Sequence, residues 1–481
     1  MAVNEGDSVE IDIDHLVSSI EKMMPHDLLI SSKCCIFKTP SILYRHNEKA
    51  YIPDAFSIGP LHHGSPNLKV TEKIKTRYLQ RLISRSNSSE LLRTLIKSIT
   101  EVEKDARECY AETIEHYNPE ELVKILVLDG CFIIELFRKQ AYPELRELRD
   151  PIFSRSGMLQ FLFHDLILLE NQVPWMVLER LFNLTKDSYD EKPLIVLAVN
   201  FFDGTHFSKS MPPQDQVINI KGIKHFVDLL RSISIISSTD PRPDQYINIE
   251  CIQRFVDLFL KLSTLLSTHF RKLTTSSITL FRKVSTLLSA MFGISSIEEE
   301  RERQRGWEFL PSATSLSEAG IKFKRGTSKT VLEVKFNNGI LEIPPFEIHD
   351  ITETVFRNLI SYEQCHFFCG DRITSYAILL DSLINTAKDI DILCKNEIID
   401  NWLNPEDAAQ LFNKLYLDTC VAYQYNSLCR QVNSFCRRRW PRWRAVLAHN
   451  YFNTPWAFIS TLAAFILLVL TLLQTVYTMK N

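Results

Sequence analysis

Residues 159–184 read LQFLFHDLILLENQVPWMVLERLFNL. Apolar side chains fall on almost every face of a 3.6-residue helix here, so the stretch belongs inside a helical core. Pro174 lacks the amide that a continuing helix needs, which predicts a kink or a new helix at Val173-Pro174-Trp175. Asp165, Glu170 and Asn171 interrupt the apolar run, and if buried each needs a hydrogen-bond partner. The implied fold class is mainly α.

Upstream, Pro119 to Gln140 is a second strongly apolar helix, interrupted by Asp129-Gly130. Glycine there costs about 1 kcal/mol against alanine but lets another element approach closely. Leu68 to Ile83 reads as a basic amphipathic helix with a solvated face, and LLRTLIKSITEVEKDARECYAETI follows Ser88-Ser89-Glu90 as a further helix. Residues 34–64, CCIFKTPSILYRHNEKAYIPDAFSIGPLHHG, hold three prolines and two glycines among short apolar runs. Such a stretch is loop-rich yet packed down. Residues 1–30 are acidic, then amphipathic from Asp14.

Downstream, residues 203–305 gain Ser, Thr and charge. Asp215 to Ile220 (DQVINI) recurs 29 residues later as Asp244 to Ile249 (DQYINI), and His225 to Leu229 recurs as Arg254 to Leu258. This is a tandem duplication inside a tolerant helical insertion. Val331 to Phe336, the turn Asn337-Asn338-Gly339 and Ile340 to Ile343 predict a small β-hairpin, closed at Pro344-Pro345. Helices are expected from Thr352, from Ser375 and after Asn404-Pro405-Glu406-Asp407, the last running toward the C-terminal basic cluster. The expected organisation is an N-terminal segment 1–30, a helical lobe 31–202, the insertion 203–305, a hairpin-plus-helix lobe 306–436, a basic collar 437–456 and a transmembrane helix 457–478.

That final segment, AFISTLAAFILLVLTLLQTVYT, has no charged side chain. As a helix it reaches roughly 33 Å, enough to span a hydrocarbon core. Trp456 and Tyr477 flank it, and Arg437 to Arg444 (RRRWPRWR) precede it. The positive-inside rule puts this collar, and with it the large body, in the cytosol, with membrane lipid as one partner. The chain has 481 residues, with 55 basic against 58 acidic side chains and a net charge of -3, so nothing draws it to nucleic acid. Its 11 cysteines are scattered without a CxxC pair, as in a reducing compartment. The acidic start is no signal peptide. Sequons stand at Asn87 and Asn183.

Chemistry-bearing motifs are few. His62-His63-Gly64, and His164-Asp165 with Glu170, are the candidate acid–base groups. Adjacent loop histidines rarely point the same way, and polar groups in an apolar helix are usually satisfied core residues. Cys365-His366 and Cys369 lack the second pair that zinc needs. There is no GxSxG elbow, GxxxxGK[ST] or GxGxxG. No catalytic, cofactor-binding or metal-ligating residue is therefore assigned. An enzyme with a non-standard site near His62, His63, His164 and Asp165 is the alternative to a binding protein, and a lipid-surface or structural role for the collar is another.

Several landmarks occur in order: Cys35 to Gly64 with YIPDAFSIGPLHHG; Leu128 to Phe132; Asp165-Leu166 with Leu169 to Pro174; Pro311 to Ala313 with Glu318 to Phe323; Arg357 to Leu359 with Glu363-Gln364; and Tyr451-Phe452 with Pro455 to Ala457. Together they resemble the plant domain-of-unknown-function 247 family over roughly residues 30–478, with 215–295 longer and more repetitive than that pattern. The resemblance implies a single-pass plant membrane protein without established enzymatic activity or agreed catalytic residues. Some grass members are implicated in self-incompatibility recognition. The expectation is a recognition or signalling component, anchored at the plasma membrane and binding an unidentified protein through 203–305.

Overall fold

The structure, a computed structural model, describes residues 12–23, 31–86, 90–202, 217–235 and 306–437, apart from 113, 156, 188–190, 219, 329 and 367–368. Beyond these it describes four positions of the final segment. α1 (Ile13–Met23) carries exposed Ile13, Leu16, Val17 and Ile20, and α2 (Ser41–Tyr44) is a single turn. α3 (Lys69–Arg85), α4 (Leu91–Thr100) and α5 (Glu103–Arg107) follow. The run after Glu90 is thus two helices, broken at Glu101-Val102 where Val102 turns into the core.

α6 (Pro119–Ala141) is the axis of the N-terminal lobe. Asn118 accepts the Glu121 amide at 2.9 Å and Glu121 accepts the Asn118 amide at 3.0 Å, a capping box with proline at the first helical position. α3, α4, α8 (Trp175–Leu184) and α9 (Leu194–Phe202) pack around it. Gly130 does what its position suggested: a Cβ there would lie 2.4 Å from Leu181 Cδ1, so α8 crosses directly over it. The opening stretch begins its second helix after Pro174 as expected, but its first helix stops well before that proline. α7 (Met158–Leu166) ends, six buried residues from Leu168 to Val173 cross the core, and α8 starts after Pro174.

α10 (Phe226–Ile235) carries only Phe226 to Leu229 of the first repeat copy and is buried against α12 (Thr352–Cys365). The binding surface sought in 203–305 therefore excludes this helix, which is core. The second copy, and all of 236–305, lies outside the described residues. α11 (Ala313–Glu318) is capped by Ser312, whose side chain accepts the Ser315 amide.

β1 (Lys322–Arg325), β2 (Lys335–Asn337) and β3 (Ile340–Ile343) form a sheet of order β1-β3-β2. The expected hairpin is β2–β3, with Asn338 and Gly339 both at positive φ. Its first strand is shorter than expected. Val331 and Leu332 are consecutive and both buried, which an alternating strand does not allow. The parallel β1–β3 pair and a second parallel pair, β4 (Phe346–Ile348) with β5 (Ile399–Asn401), were not anticipated.

α13 (Arg372–Leu383) stops where Thr386 begins α14 (Ala387–Lys395). Asp389 accepts the Thr386 amide at 2.9 Å and the Thr314 amide and hydroxyl at 2.7 Å, tying α14 to α11. α15 (Pro405–Phe412) starts at Asn404 as expected, but it is short; α16 (Asn426–Cys436) is the helix that leads to Arg437. The protein is thus mainly helical with a small mixed sheet. Among the described residues no helix is long and apolar enough to cross a membrane. The span expected at 457–478 lies outside the described residues except for Ala463, Leu467, Leu470 and Thr471, which are helical and exposed.

Candidate functional site

The motif-rich stretch 54–60 is irregular backbone that enters from exposed Asp54 and is buried from Phe56 to Pro60. Its amides have no strand or helix to satisfy them, so side chains must do so. Asp165, fully buried at the end of α7, accepts the amides of Asp54 (2.7 Å), Ala55 (2.9 Å) and Phe56 (2.6 Å). Asn171 accepts the Ile58 amide at 2.6 Å and donates to the Phe56 and Asp165 carbonyls, each at 2.9 Å. Asp129 of α6 accepts the Gly59 amide at 2.8 Å and the Lys75 ammonium at 2.7 Å. Lys75 is itself fully buried and donates to the Ser57 carbonyl. Burial pushes the Asp129 carboxyl up, with Lys75 opposing the shift.

Gly59 adopts φ +74°, and a Cβ on it would sit 2.3 Å from the Gln172 carbonyl oxygen. That carbonyl also accepts the Tyr110 hydroxyl at 3.0 Å. Gln172 donates to the Leu166 and Leu168 carbonyls and accepts the Phe226 amide at 3.0 Å. Glu170 accepts the Thr39 amide at 2.9 Å, and burial raises its carboxyl. Asn358 of α12 accepts the Leu169 amide and donates to the Ala50 carbonyl, both at 2.8 Å. The two halves of the chain are thus bound together through the same lattice.

The candidate acid–base residues lie at its edge. His164 Nδ1 is 3.1 Å from Asp165 Oδ1 and 3.5 Å from Asp54 Oδ2. Asp54, His164 and Asp165 present ligand atoms within 4.8 Å of one another, which makes them the described residues able to converge on a metal ion. The Asp165 oxygens are already committed to three amides, so loop anchoring accounts for them fully. His62 Nε2 stands 3.7 Å from Glu170 Oε2, and burial lowers its pKa, with the Asp165 charge opposing. His63 packs edge-on against Tyr117. No hydrogen bond or ion pair among the described residues joins either of these histidines to His164. His366 packs on Phe37 and Tyr362 and contacts Lys224, with its pKa pushed down to about 4 by burial and then by that ammonium. A surface cleft of about 380 Å³ is lined by His46, Glu353, Arg357, Asp407 and Lys414. Within it Arg357 pairs with Glu353 at 2.7 Å, and His46 pairs with Asp418 at 2.7 Å.

Lys75 was hidden from sequence reasoning, because a basic helix reads as solvated. The available signal was its spacing: Leu68, Lys75, Tyr78 and Leu82 form one stripe, all buried.

A family model described as "Plant protein of unknown function" (DUF247) matches residues 36–470. The chain is 26% identical over 458 residues to UPF0481 protein At3g47200 of Arabidopsis thaliana, covering 92% of this chain and 85% of that protein. It is 24% identical over 483 residues to putative UPF0481 protein At3g02645 of the same plant, covering 91% and 89%. No solved structure matches. The aligned span includes every element of the buried lattice, and the chain belongs to the plant DUF247 family of proteins of unknown function.

Proposed function

We propose that this protein is a membrane-tethered recognition component, in which the helical body is a scaffold and another protein is the ligand. One observation carries the proposal. The polar groups of the motif-rich stretches, Asp129, Asp165, Asn171 and Gln172, are turned inward and consumed by backbone amides and carbonyls. Chemistry-bearing residues that serve the backbone hold a shape; binding then falls to segments outside that frame. Two such segments stand out in the sequence: the repeat-bearing 236–305, and the uncharged 457–478 behind its arginine collar. In this proposal the latter is the anchor, in the plasma membrane with the body in the cytosol.

The test uses two variants of the full chain in plant cells. Deleting 457–478 should move the protein from the membrane pellet to the supernatant, and protease added to sealed vesicles should digest the body only when it faces outward. Replacing 236–305 by a Gly/Ser linker should leave the melting temperature within a few degrees while removing cross-linked partners. A pelleted deletion variant refutes tethering; an unchanged set of partners refutes recognition through that segment.

A further inference from the structure

The segment that enters the signature loop begins with a cysteine pair, and one of the two meets a third cysteine across the backbone. Ile36 bridges Tyr110 in parallel register. The Cys35 and Ile36 amides both donate to the Cys109 carbonyl, at 2.9 and 2.8 Å, and the Ala111 amide donates to the Ile36 carbonyl at 2.9 Å. The bond from the Cys35 amide to the Cys109 carbonyl holds these two residues side by side, one step before the bridge. Backbones paired this way run about 4.8 Å apart. That separation lies inside the Cα range of about 4.4–6.8 Å that a disulfide accepts. Both side chains are buried and both are free thiols.

We propose that Cys35 and Cys109 are a modification site, closing to a disulfide when the protein meets a peroxide. The Cys109 thiol donates to the Asp105 carbonyl at 3.3 Å. A hydrogen bond from Cys35, helped by the nearby Lys33 ammonium, holds Cys109 below the ordinary thiol range, whereas Cys35 is pushed up. Cys109 is also the less buried of the two, which makes it the sulfur that meets the oxidant first. Its thiolate attacks one oxygen of hydrogen peroxide, breaking the O–O bond to give a sulfenic acid and hydroxide, which takes a proton to become water. The Cys35 sulfur then attacks the sulfenic sulfur, and its own proton leaves with the displaced hydroxide as a second water. Two thiols are oxidised and one peroxide is reduced. Burial favours a small oxidant over a bulky disulfide at this position. The bridge would fasten Cys35, at the head of the signature segment, to the second residue after α5.

The experiment uses the full chain in detergent micelles, titrated with hydrogen peroxide, quenched with N-ethylmaleimide and digested without reduction. Mass spectrometry should find one cross-linked peptide pair joining Cys109 to Cys35, assigned by fragmentation between Cys34 and Cys35. The melting temperature should rise by roughly 3–6 °C on oxidation and return with dithiothreitol. Cys109 that stays alkylated while exposed Cys420 oxidises overturns the proposal. So does a bridge from Cys109 to Cys34, or Cys109 carried to sulfinic acid without a bridge. Cys34→Ala should keep the cross-link, and Cys35→Ala should remove it.

Discussion

Lys75→Met tests the buried lattice most directly. Methionine keeps the volume but removes the ammonium 2.7 Å from Asp129, and also the donor to the Ser57 carbonyl. Lys75 and Asp129 are both essentially without solvent exposure. Breaking a buried pair by removing one partner costs about 3–5 kcal/mol, because the remaining charge is stranded. For a body of this size that is about 5 °C or more in melting temperature. The pH dependence has a definite sign. Asp129 is already raised by burial with Lys75 opposing, so loss of the lysine raises it further. A carboxyl raised in the folded state holds its proton there after the unfolded state has lost it. Stability then falls as pH rises from the ordinary carboxyl range through the raised folded value, and the deficit of Lys75→Met shrinks on acidification. The assay is thermal melting of wild type and variant side by side from pH 5 to pH 8. Adding Asp129→Asn should recover part of the loss. A Lys75→Met protein that melts within about 1 °C of wild type at pH 7 would refute the reasoning, as would a deficit independent of pH.

Gly59→Ala should abolish folding or cost several kcal/mol, because its Cβ meets a backbone oxygen at 2.3 Å and φ is +74°; yield and melting temperature report it. Gly130→Val should cost about 1–3 kcal/mol by forcing α8 off α6, since Leu181 occupies the space, and circular dichroism melts would show it. His225 is fully buried beside the Cys35 carbonyl, with its pKa lowered to about 3 by burial. The unfolded chain takes up that proton first, so stability falls by up to about 1.4 kcal/mol per pH unit as pH drops below about 6.5, continuing toward pH 3. His225→Asn should flatten that limb of the stability–pH curve, and an unchanged slope would show that His225 does not supply it.

Much of the helical frame is legible in the sequence because it rests on local signals. Asn118-Pro119 with Glu121, Ser312, and Asn404-Pro405 each start a helix where capping chemistry says they should. Gly130 announced a crossing, and the isolated polar residues of 159–184 announced partners; both are present. What stayed hidden is non-local. The parallel pairs β1–β3 and β4–β5 join short strands whose sequences carry no pairing signal. The break at Ile384–Thr386 depends on Asp389 reaching both Thr386 and Thr314. Lys75 reads as surface because its partner, Asp129, lies on a different helix. His62 and His164 looked like chemistry, but their neighbours Glu170 and Asp165 serve the backbone of Thr39 and of 54–56.

The lattice also sets a timetable for the growing chain. The amides of 54–59 find their acceptors on residues as late as Asp165 and Asn171, and the Ala50 carbonyl waits for Asn358. At about 5–20 residues per second, the roughly 300 residues between Ala50 and Asn358 take about 15–60 s to synthesise. For more than the first third of that interval, until Asp165 and Asn171 are made, the amides of 54–58 have no acceptor, and the Ala50 carbonyl lacks its partner to the end. Production of this protein in a foreign host should therefore depend on chaperones that hold nascent chains, and on elongation fast enough to deliver α12 before the apolar stretch from Cys34 to Pro60 associates with its neighbours.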